Sequence, residues 1–424
     1  MTEQQRSSTG LVSGLIEDVL EGRTNRRDIL RRSAALGIAP TMVAAMLKIT
    51  ERGARATPVA GGEEVLIGCP YNLTGGYASI DNPAKNGTDL AVKLLNSTNG
   101  ILGRPVRHIV DDGKSDPATI SNVAKKMAEE DKVMAFVGLT DTDFMRAAGS
   151  VAQEAGIPFI DVGGTAPIIQ EIGDYIFMLP FGDNVQAAAA AELAQEKGWK
   201  TVAMLVDDAM TYTKFLAKYF VDRFTDDEIQ GQVVKELSYQ IGDTDFSGQL
   251  TEISQLDPAP SLLFVSANPA EIGTIVKQAR DLGIETPIMG GDGYDTPLLL
   301  ELAGPAAREV YFTTHQGIYG DAPEAKAFTE KYTAEYGTAP EAVFAALGFD
   351  GINLMADAMN RAGSTDGAAV RDALAATQGF KGATGEISYS PGVRIPQKSV
   401  ALVQVLDGKF SLIEIVVPRT IPPA

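Results

Sequence analysis

From Glu63 onward the chain alternates short β-branched or apolar runs, Gly, Asp or Pro turns, and stretches of about 10–15 residues with helical spacing. This alternation constrains the fold more than any other feature, because it is the pattern of a parallel sheet covered by crossover helices. Strands are expected at 65–69, 106–110, 133–137, 159–161, 202–206, 233–237, 262–265, 288–289 and 310–313. Between the first two, Gly87, Leu90, Ala91, Leu94 and Leu95 fall on one helical face, and Asn99-Gly100 supplies a stop. Asp116-Pro117 opens the next helix with a capping residue and a proline at the first helical position. Even without its first 60 residues, the 424-residue chain exceeds the ~250–300 residues at which one hydrophobic core stops growing, so an α/β fold of two lobes is expected.

A weak internal echo points to a site. Residues 152–165 read helix end, Gly156-Ile157-Pro158, short strand, Gly163-Gly164, polar residue; residues 279–292 read helix end, Gly283-Ile284, Pro287, short strand, Gly290-Gly291, polar residue. A strand ending in Gly-Gly lets a ligand approach backbone N–H groups closely, at the carboxyl end of the sheet where open α/β sheets bind ligands. Taken singly, each pair also reads as a tight strand-to-helix turn. Asp207-Asp208 stands at another strand end and reads as loop or helix-cap residues within reach of a ligand.

Ahead of the folded stretch, Asn25-Arg26-Arg27-Asp28-Ile29-Leu30-Arg31 runs into the apolar, small-residue segment 33–47. Paired arginines before a mildly apolar stretch match the twin-arginine secretory pattern, whose cargo crosses the membrane folded. Ala54-Arg55-Ala56 and Val59-Ala60 offer cleavage steps. Pro40 interrupts the segment and Lys48 ends it, short of the ~20 apolar residues a spanning helix needs. Residues 1–60 are therefore expected to be a leader, and the remainder an exported protein, periplasmic or at the outer face of the cytoplasmic membrane.

The charge argues about partners. Residues 1–60 hold nine Lys/Arg against six Asp/Glu, so the rest is more acidic than the chain's overall −19. Nucleic acid and anionic membrane surfaces both reward clustered Lys/Arg, so neither is an expected partner. The single Cys69 excludes an intramolecular disulfide and reads as a buried small hydrophobe. Two histidines, His108 and His315, are too few for a His-rich metal site, and H-E-x-x-H, Walker A, G-x-S-x-G and G-x-G-x-x-G patterns are absent. No catalytic residues, metal or cofactor are expected. Carboxylate pairs are plentiful, but among 55 acidic residues adjacency arises by chance.

With these residues in view, the stretch from about 63 to about 416 resembles the leucine/isoleucine/valine-type solute-binding proteins, the type I periplasmic receptors of branched-chain amino-acid ABC transporters. The resemblance is carried by Leu73-Thr74-Gly75-Gly76-Tyr77-Ala78, Asn86-Gly87, Asn99-Gly100-Ile101-Leu102-Gly103-Arg104 and Asp111-Asp112 with Asp116-Pro117. It continues through Glu154-Ala155-Gly156-Ile157-Pro158, Gly242-Asp243-Thr244-Asp245-Phe246-Ser247, Gln278-Ala279-Arg280-Asp281-Leu282-Gly283, Gly290-Gly291-Asp292-Gly293 and Thr384-Gly385. It implies two doubly wound parallel-sheet lobes joined by a three-crossing hinge, lobe 1 from 63–181 and 316–383, lobe 2 from 182–315 and 384–418. It further implies a monomer that clamps an amino acid or related small solute by hinge closure and hands it to an ABC permease.

The same resemblance places the ligand carboxylate at Thr142 and at Thr165, the latter following Gly163-Gly164, where helix N-termini favour an anion. It places the ligand ammonium at Asp292 and aromatic walls at Tyr77 and Tyr212, with Thr211 the alternative to Tyr212. Ile80 and Asn268 replace aromatic residues common in the family, and Asp141 and Asp143 flank the carboxylate site. An anion beside two carboxylates is repelled unless both point away, which shifts the expected ligand from leucine toward a polar amino acid or an amide-like molecule. A ligand sensor of the same fold and a secreted hydrolase remain the alternative readings.

Overall fold

A computed structural model describes residues 63–424. The twin-arginine leader expected in residues 1–60 lies outside the described residues. The chain first runs through β1 (Val65–Tyr71), α1 (Ala78–Asn96), β2 (Val106–Asp112), α2 (Pro117–Glu129), β3 (Ala135–Gly138), α3 (Thr142–Ala155), β4 (Phe159–Asp161) and β5 (Ile176–Met178). These strands form a five-stranded parallel sheet in the order β2-β1-β3-β4-β5. Local chemistry sets the helix starts. Asp116 caps α2 by accepting from the Thr119 amide at 2.7 Å, with Pro117 in the first turn, and Asp141 caps α3. Residues 94–105 form a compact turn closed by the Ile101 and Arg104 backbones, 3.0 and 2.9 Å apart.

The chain continues through α4 (Asp183–Glu196), β6 (Thr201–Asp207), α5 (Thr211–Phe224), β7 (Gln232–Tyr239), α6 (Ser247–Ser254), β8 (Leu262–Ser266), α7 (Ile272–Asp281), β9 (Ile288–Gly290), α8 (Pro297–Ala303) and β10 (Val310–Thr314). After these come α9 (Pro323–Tyr336), α10 (Phe344–Ala362), α11 (Gly367–Ala375), a small hairpin of β11 (Phe380–Gly382) and β12 (Gly385–Ile387), then β13 (Val400–Leu406) and β14 (Lys409–Val416). The second sheet has seven strands in the order β14-β13-β10-β9-β8-β6-β7. Its two faces are covered by separate apolar clusters, one around Phe246, Ile275 and Tyr294, the other around Ala190, Leu216 and Phe264.

The late helix α10 belongs to the first sheet. A Cβ at Gly351 would strike Val162 and Val137 at 2.7 and 2.8 Å, so the helix lies directly on β3 and the end of β4. The chain thus passes between the two sheets three times, after β5, after β10 and before β13.

Every strand expected from the sequence is present, each within a few residues of its expected bounds. β5, the small hairpin and the β13–β14 pair were not foreseen. The fold class is the one expected; in addition β13 pairs antiparallel with β10 and with β14 at one edge of the second sheet. β14 follows β13 through a two-residue turn at Asp407-Gly408, with φ of 50° and 71°, the left-handed pair that a tight hairpin requires.

Strand order positions the site. The first sheet runs 2-1-3-4-5 in local numbering, and β7-β6-β8-β9-β10 repeats that order in the second. In doubly wound sheets the crevice opens at the carboxyl ends where the winding reverses, here between β1 and β3 and between β6 and β8.

Candidate functional site

Both reversal points open on one cavity of about 260 Å³ of atom-free space. From the first sheet side it is lined by Tyr77 and Ile80 at the start of α1, Thr140, Asp141 and Thr142 after β3, Gly163, Gly164 and Thr165 after β4, and Phe344 of α10. From the second come Tyr212 after β6, Pro269 after β8, and Asp292 and Gly293 after β9. The six residues singled out in the sequence, Tyr77, Thr142, Gly163, Thr165, Tyr212 and Asp292, therefore line a single space.

The Gly-Gly pairs are spent differently from the expectation. The amides of Gly163 and Gly164 donate to Asp161 Oδ1 at 3.4 and 2.8 Å, and a Cβ at Gly163 would meet Thr140 at 2.9 Å. In the second sheet the amides of Asp292 and Gly293 donate to Gln186 Oε1 and the Tyr212 hydroxyl, both at 3.1 Å. A Cβ at Gly291 would meet that hydroxyl at 2.7 Å. Side chains, held close by the missing Cβ atoms, occupy these backbone donors. At α3, likewise, Asp141 Oδ1 accepts from the Asp143 amide at 2.8 Å, so the helix terminus is capped from within the chain.

Asp141 and Asp143 diverge. Asp143 reaches the other sheet and accepts from the amide and hydroxyl of Thr211 at 2.7 and 2.6 Å. Thr211 thus joins the two sheets while its neighbour Tyr212 walls the cavity. Asp141 stays in the lining, 3% exposed. A second link between sheets runs from the Tyr77 hydroxyl to Asn268 Oδ1 at 2.6 Å. Asn268 Nδ2 in turn donates to Asp207 Oδ2 at 2.7 Å, so Asp207 supports the link without lining the cavity. The Tyr77 ring stands edge-on to Phe144 with centroids 4.9 Å apart.

Electrostatically the cavity is one-sided. Its lining holds two carboxylates and no Lys or Arg. Burial, and then Asp143, push the Asp141 carboxyl up to about 7. Behind the lining, burial holds Asp161 and Asp183 well above the usual carboxylate range, and one oxygen of each has no partner. Low local dielectric makes each unpaired carboxylate costly.

Two polar residues of this site were missed. Gln186 of α4 donates through Nε2 to Asp183 at 2.9 Å and Asp292 at 2.8 Å, and its Oε1 accepts from Thr313 at 3.0 Å. A lone glutamine entering the run 187–191 of five alanines on a buried helix was its signal. His315, directly after β10, stacks on Phe181 with centroids 4.0 Å apart, and its Nε2 lies 3.6 Å from Asp292 Oδ2. Neither ring nitrogen has a hydrogen-bond partner, and burial lowers its pKa. The other histidine, His108, is half-buried against Asp89 at 2.6 Å, away from the cavity.

A family model described as periplasmic binding protein matches residues 64–409. The chain belongs to this family. Among its relatives, the leucine-, isoleucine-, valine-, threonine- and alanine-binding protein of Pseudomonas aeruginosa is 24% identical over 319 residues, 75% of this chain and 83% of that protein. A Leu/Ile/Val-binding protein homolog of Brucella melitensis is 27% identical over 330 residues, 77% of this chain and 86% of that protein. The leucine binding protein LivK of Thermotoga maritima superposes with a TM-score of 0.79 at 30% identity, covering 84% of this chain and 99% of that one. LivJ of Streptococcus pneumoniae, a branched-chain amino acid transporter substrate binding protein in complex with isoleucine, gives 0.78 at 30% identity, covering 84% and 100%. The fold is that of the type I periplasmic binding proteins, and the family is one of solute-binding proteins.

Proposed function

We propose that this periplasmic binding protein captures an amino acid or closely related small polar solute outside the cytoplasmic membrane and delivers it to an ABC permease, without catalysing a reaction. Lobe 1 would comprise residues 63–181 and 316–383, and lobe 2 residues 182–315 and 384–418. The observation that carries the reading is the convergence of both sheets' carboxyl ends on one cavity with a carboxylate on either side. The relatives' names, which specify amino acids, support the same class of ligand. Ligand contacts that bridge the lobes would favour the closed arrangement only as far as the ligand prefers it to the open one. In this scheme Thr142 and Thr165 take the ligand carboxylate, Asp292 takes its ammonium, and Tyr77 and Tyr212 exclude water.

Export by the twin-arginine route and action as a monomer belong to the same proposal. The test is thermal melting of the purified chain against amino acids, amides, ureas and small carboxylates, because binding to the native state alone raises the melting temperature. An upward shift confined to amino acids and their analogues is expected. Asp292→Asn should then weaken that ligand by ~2–5 kcal/mol, the effect of removing one partner of a buried charge pair. A flat response across the library overturns the reading, and an unchanged affinity removes Asp292 from the site.

A further inference from the structure

We infer that the ligand is a diamino acid, an α-amino acid whose side chain ends in an amine, and that Asp141 is the residue that selects it. The inference rests on the proposed amino-acid binding and deepens it. It follows from an accounting of acceptors in the cavity. A tyrosine hydroxyl carries one proton. The Tyr77 oxygen lies 2.6 Å from Asn268 Oδ1 and 3.3 Å from Asp141 Oδ2. Because Asn268 Nδ2 donates to Asp207 at 2.7 Å, its Oδ1 is the atom turned to Tyr77, and the proton belongs to that shorter bond. The capping side of Asp141 is occupied by the amides that begin α3. Asp141 Oδ2 is left in the lining with only the longer contact to a hydroxyl it shares with Asn268.

The second sheet sets its own carboxyl, better supplied with donors, on the other side of the cavity. Asp292 Oδ1 accepts from Gln186 Nε2 at 2.8 Å, and the other proton of that amide serves Asp183 at 2.9 Å. His315 Nε2 stands 3.6 Å from Asp292 Oδ2, beyond hydrogen-bond distance, and the Tyr212 hydroxyl is hydrogen-bonded to the same carboxyl. Two carboxyl groups, one from each sheet, thus face one cavity, and Asp141 Oδ2 has only a long contact with a hydroxyl whose proton serves Asn268. No Lys or Arg lines it, and the fully buried Asp161 and Asp183 behind it each hold a further oxygen with no partner.

A simple aliphatic amino acid answers this arrangement poorly. Its ammonium satisfies Asp292, but its carboxylate returns a negative charge to the cavity, and its apolar side chain would seal Asp141 Oδ2 away from water with nothing to bind. An acceptor buried in that way costs its whole desolvation penalty. A second ammonium answers both, because it donates to Asp141 Oδ2 and offsets the ligand's own carboxylate, so the filled cavity keeps one net negative charge instead of two. Ornithine and 2,4-diaminobutyrate, α-amino acids with a second amine on a short side chain, are simple members of this class.

The test is isothermal titration of the full chain with ornithine, 2,4-diaminobutyrate, glutamine and leucine at pH 8. A diamino acid should bind about tenfold or more tighter than leucine, the scale of one charge-assisted hydrogen bond. Asp141→Asn, which keeps a helix-capping side chain, should weaken ornithine by about tenfold and strengthen leucine, whose carboxylate then meets no charge there. Since burial pushes the Asp141 carboxyl up to about 7, ornithine should also release protons on binding at pH 7, read as a heat that varies with buffer ionisation enthalpy. Leucine binding as tightly as either diamino acid would leave the amino-acid reading standing and sink this inference. Glutamine as the tightest ligand would replace the second cation by an amide and sink it too. No binding by any of the four overturns both. The ranking by the unmodified chain decides the matter even if the variant fails to fold.

Discussion

Replacing Gly348 by alanine should destabilise the protein by driving two helices apart. α1 and α10 cross backbone to backbone: a Cβ at Gly348 would lie 1.9 Å from the Ala84 carbonyl oxygen, and one at Gly87 would lie 1.8 Å from that of Ala345. Carbon and oxygen ordinarily approach to ~3.3 Å, so the helices must separate locally by more than ~1 Å. Overpacking of this kind costs ~1–3 kcal/mol, and a gap of ~1 Å forfeits up to about half the dispersion attraction of the atoms along it. Alanine returns ~1 kcal/mol of helix propensity, which leaves a net loss of up to ~2 kcal/mol plus the forfeited dispersion. Gly248 of α6 is the control: nothing lies within 4 Å of its Cβ position, so Gly248→Ala should stabilise by ~0.5 kcal/mol. The assay is urea unfolding followed by circular dichroism and by fluorescence of Trp199, the chain's one tryptophan, which packs against Tyr311 of the second sheet. The damage lies on the first sheet, so a circular-dichroism transition that moves ahead of the fluorescence transition would show the two sheets unfolding separately. Gly87→Ala with Gly348→Ala should cost less than the two losses added, because the first already opens the crossing. A Gly348→Ala protein as stable as the parent by both probes would refute the reasoning. So would unaltered ligand affinity, since α1 carries Ile80 and α10 carries Phe344 into the cavity lining.

Stability should rise on mild acidification. Burial pushes Asp81, Asp141, Asp295 and Glu271 up to about 7 from ordinary values of 3.8 and 4.5, so their contribution is full below those ordinary values and is lost as pH rises through about 7. His315, lowered by burial below its ordinary 6.5, and Lys398, lowered to about 8, act in the opposite sense, two groups against four. Melting at matched ionic strength should give a higher transition temperature at pH 5.5 than at pH 8, and the reverse order would refute the assignment. Asp143→Ala removes the two bonds to Thr211 that join the sheets. Charge-assisted hydrogen bonds of this kind contribute ~1.5–3 kcal/mol, so titration of the variant should show ligand affinity reduced about tenfold or more; unchanged affinity would exclude Asp143 from the closing contact.

What the sequence revealed, and what it hid, divides along physical lines. Continuous β-branched runs such as those of β1, β6 and β8 are legible because strands buried on both faces carry no polar alternation. The Gly-Gly pairs were legible as places of close approach, while the identity of what approaches was not: side chains of Asp161, Gln186 and Tyr212 come from elsewhere in the chain and take up the neighbouring amides. Asp141-Thr142-Asp143 looks symmetric in sequence. Only the helix start separates the two acids, turning one inward as the cap of α3 and sending the other across to Thr211. Asp407-Gly408 carries a hairpin signal that went unread, and the antiparallel pairing of β13 with β14 follows from it. β5, three residues long, offers too short a pattern to read.

The links between the sheets bear on how such a protein would report its ligand. Tyr77 to Asn268 and Asp143 to Thr211 join the two sides through polar contacts made by the chain alone. Each neutral contact contributes only ~0.5–1.5 kcal/mol net, because water satisfies the same groups when the sides part. Their sum is a few kcal/mol, comparable with the differential affinity a ligand needs to shift a two-state equilibrium substantially. Against them stand the buried carboxyls Asp141, Asp161 and Asp183, for which burial first and neighbouring acids second make ionisation costly, a cost that opening to water would relieve. A cationic group in the cavity removes that opposing term without adding a contact between the sheets. Closure would then be controlled through charge neutralisation, and its ligand dependence should weaken as the pH falls and protons neutralise Asp141 instead.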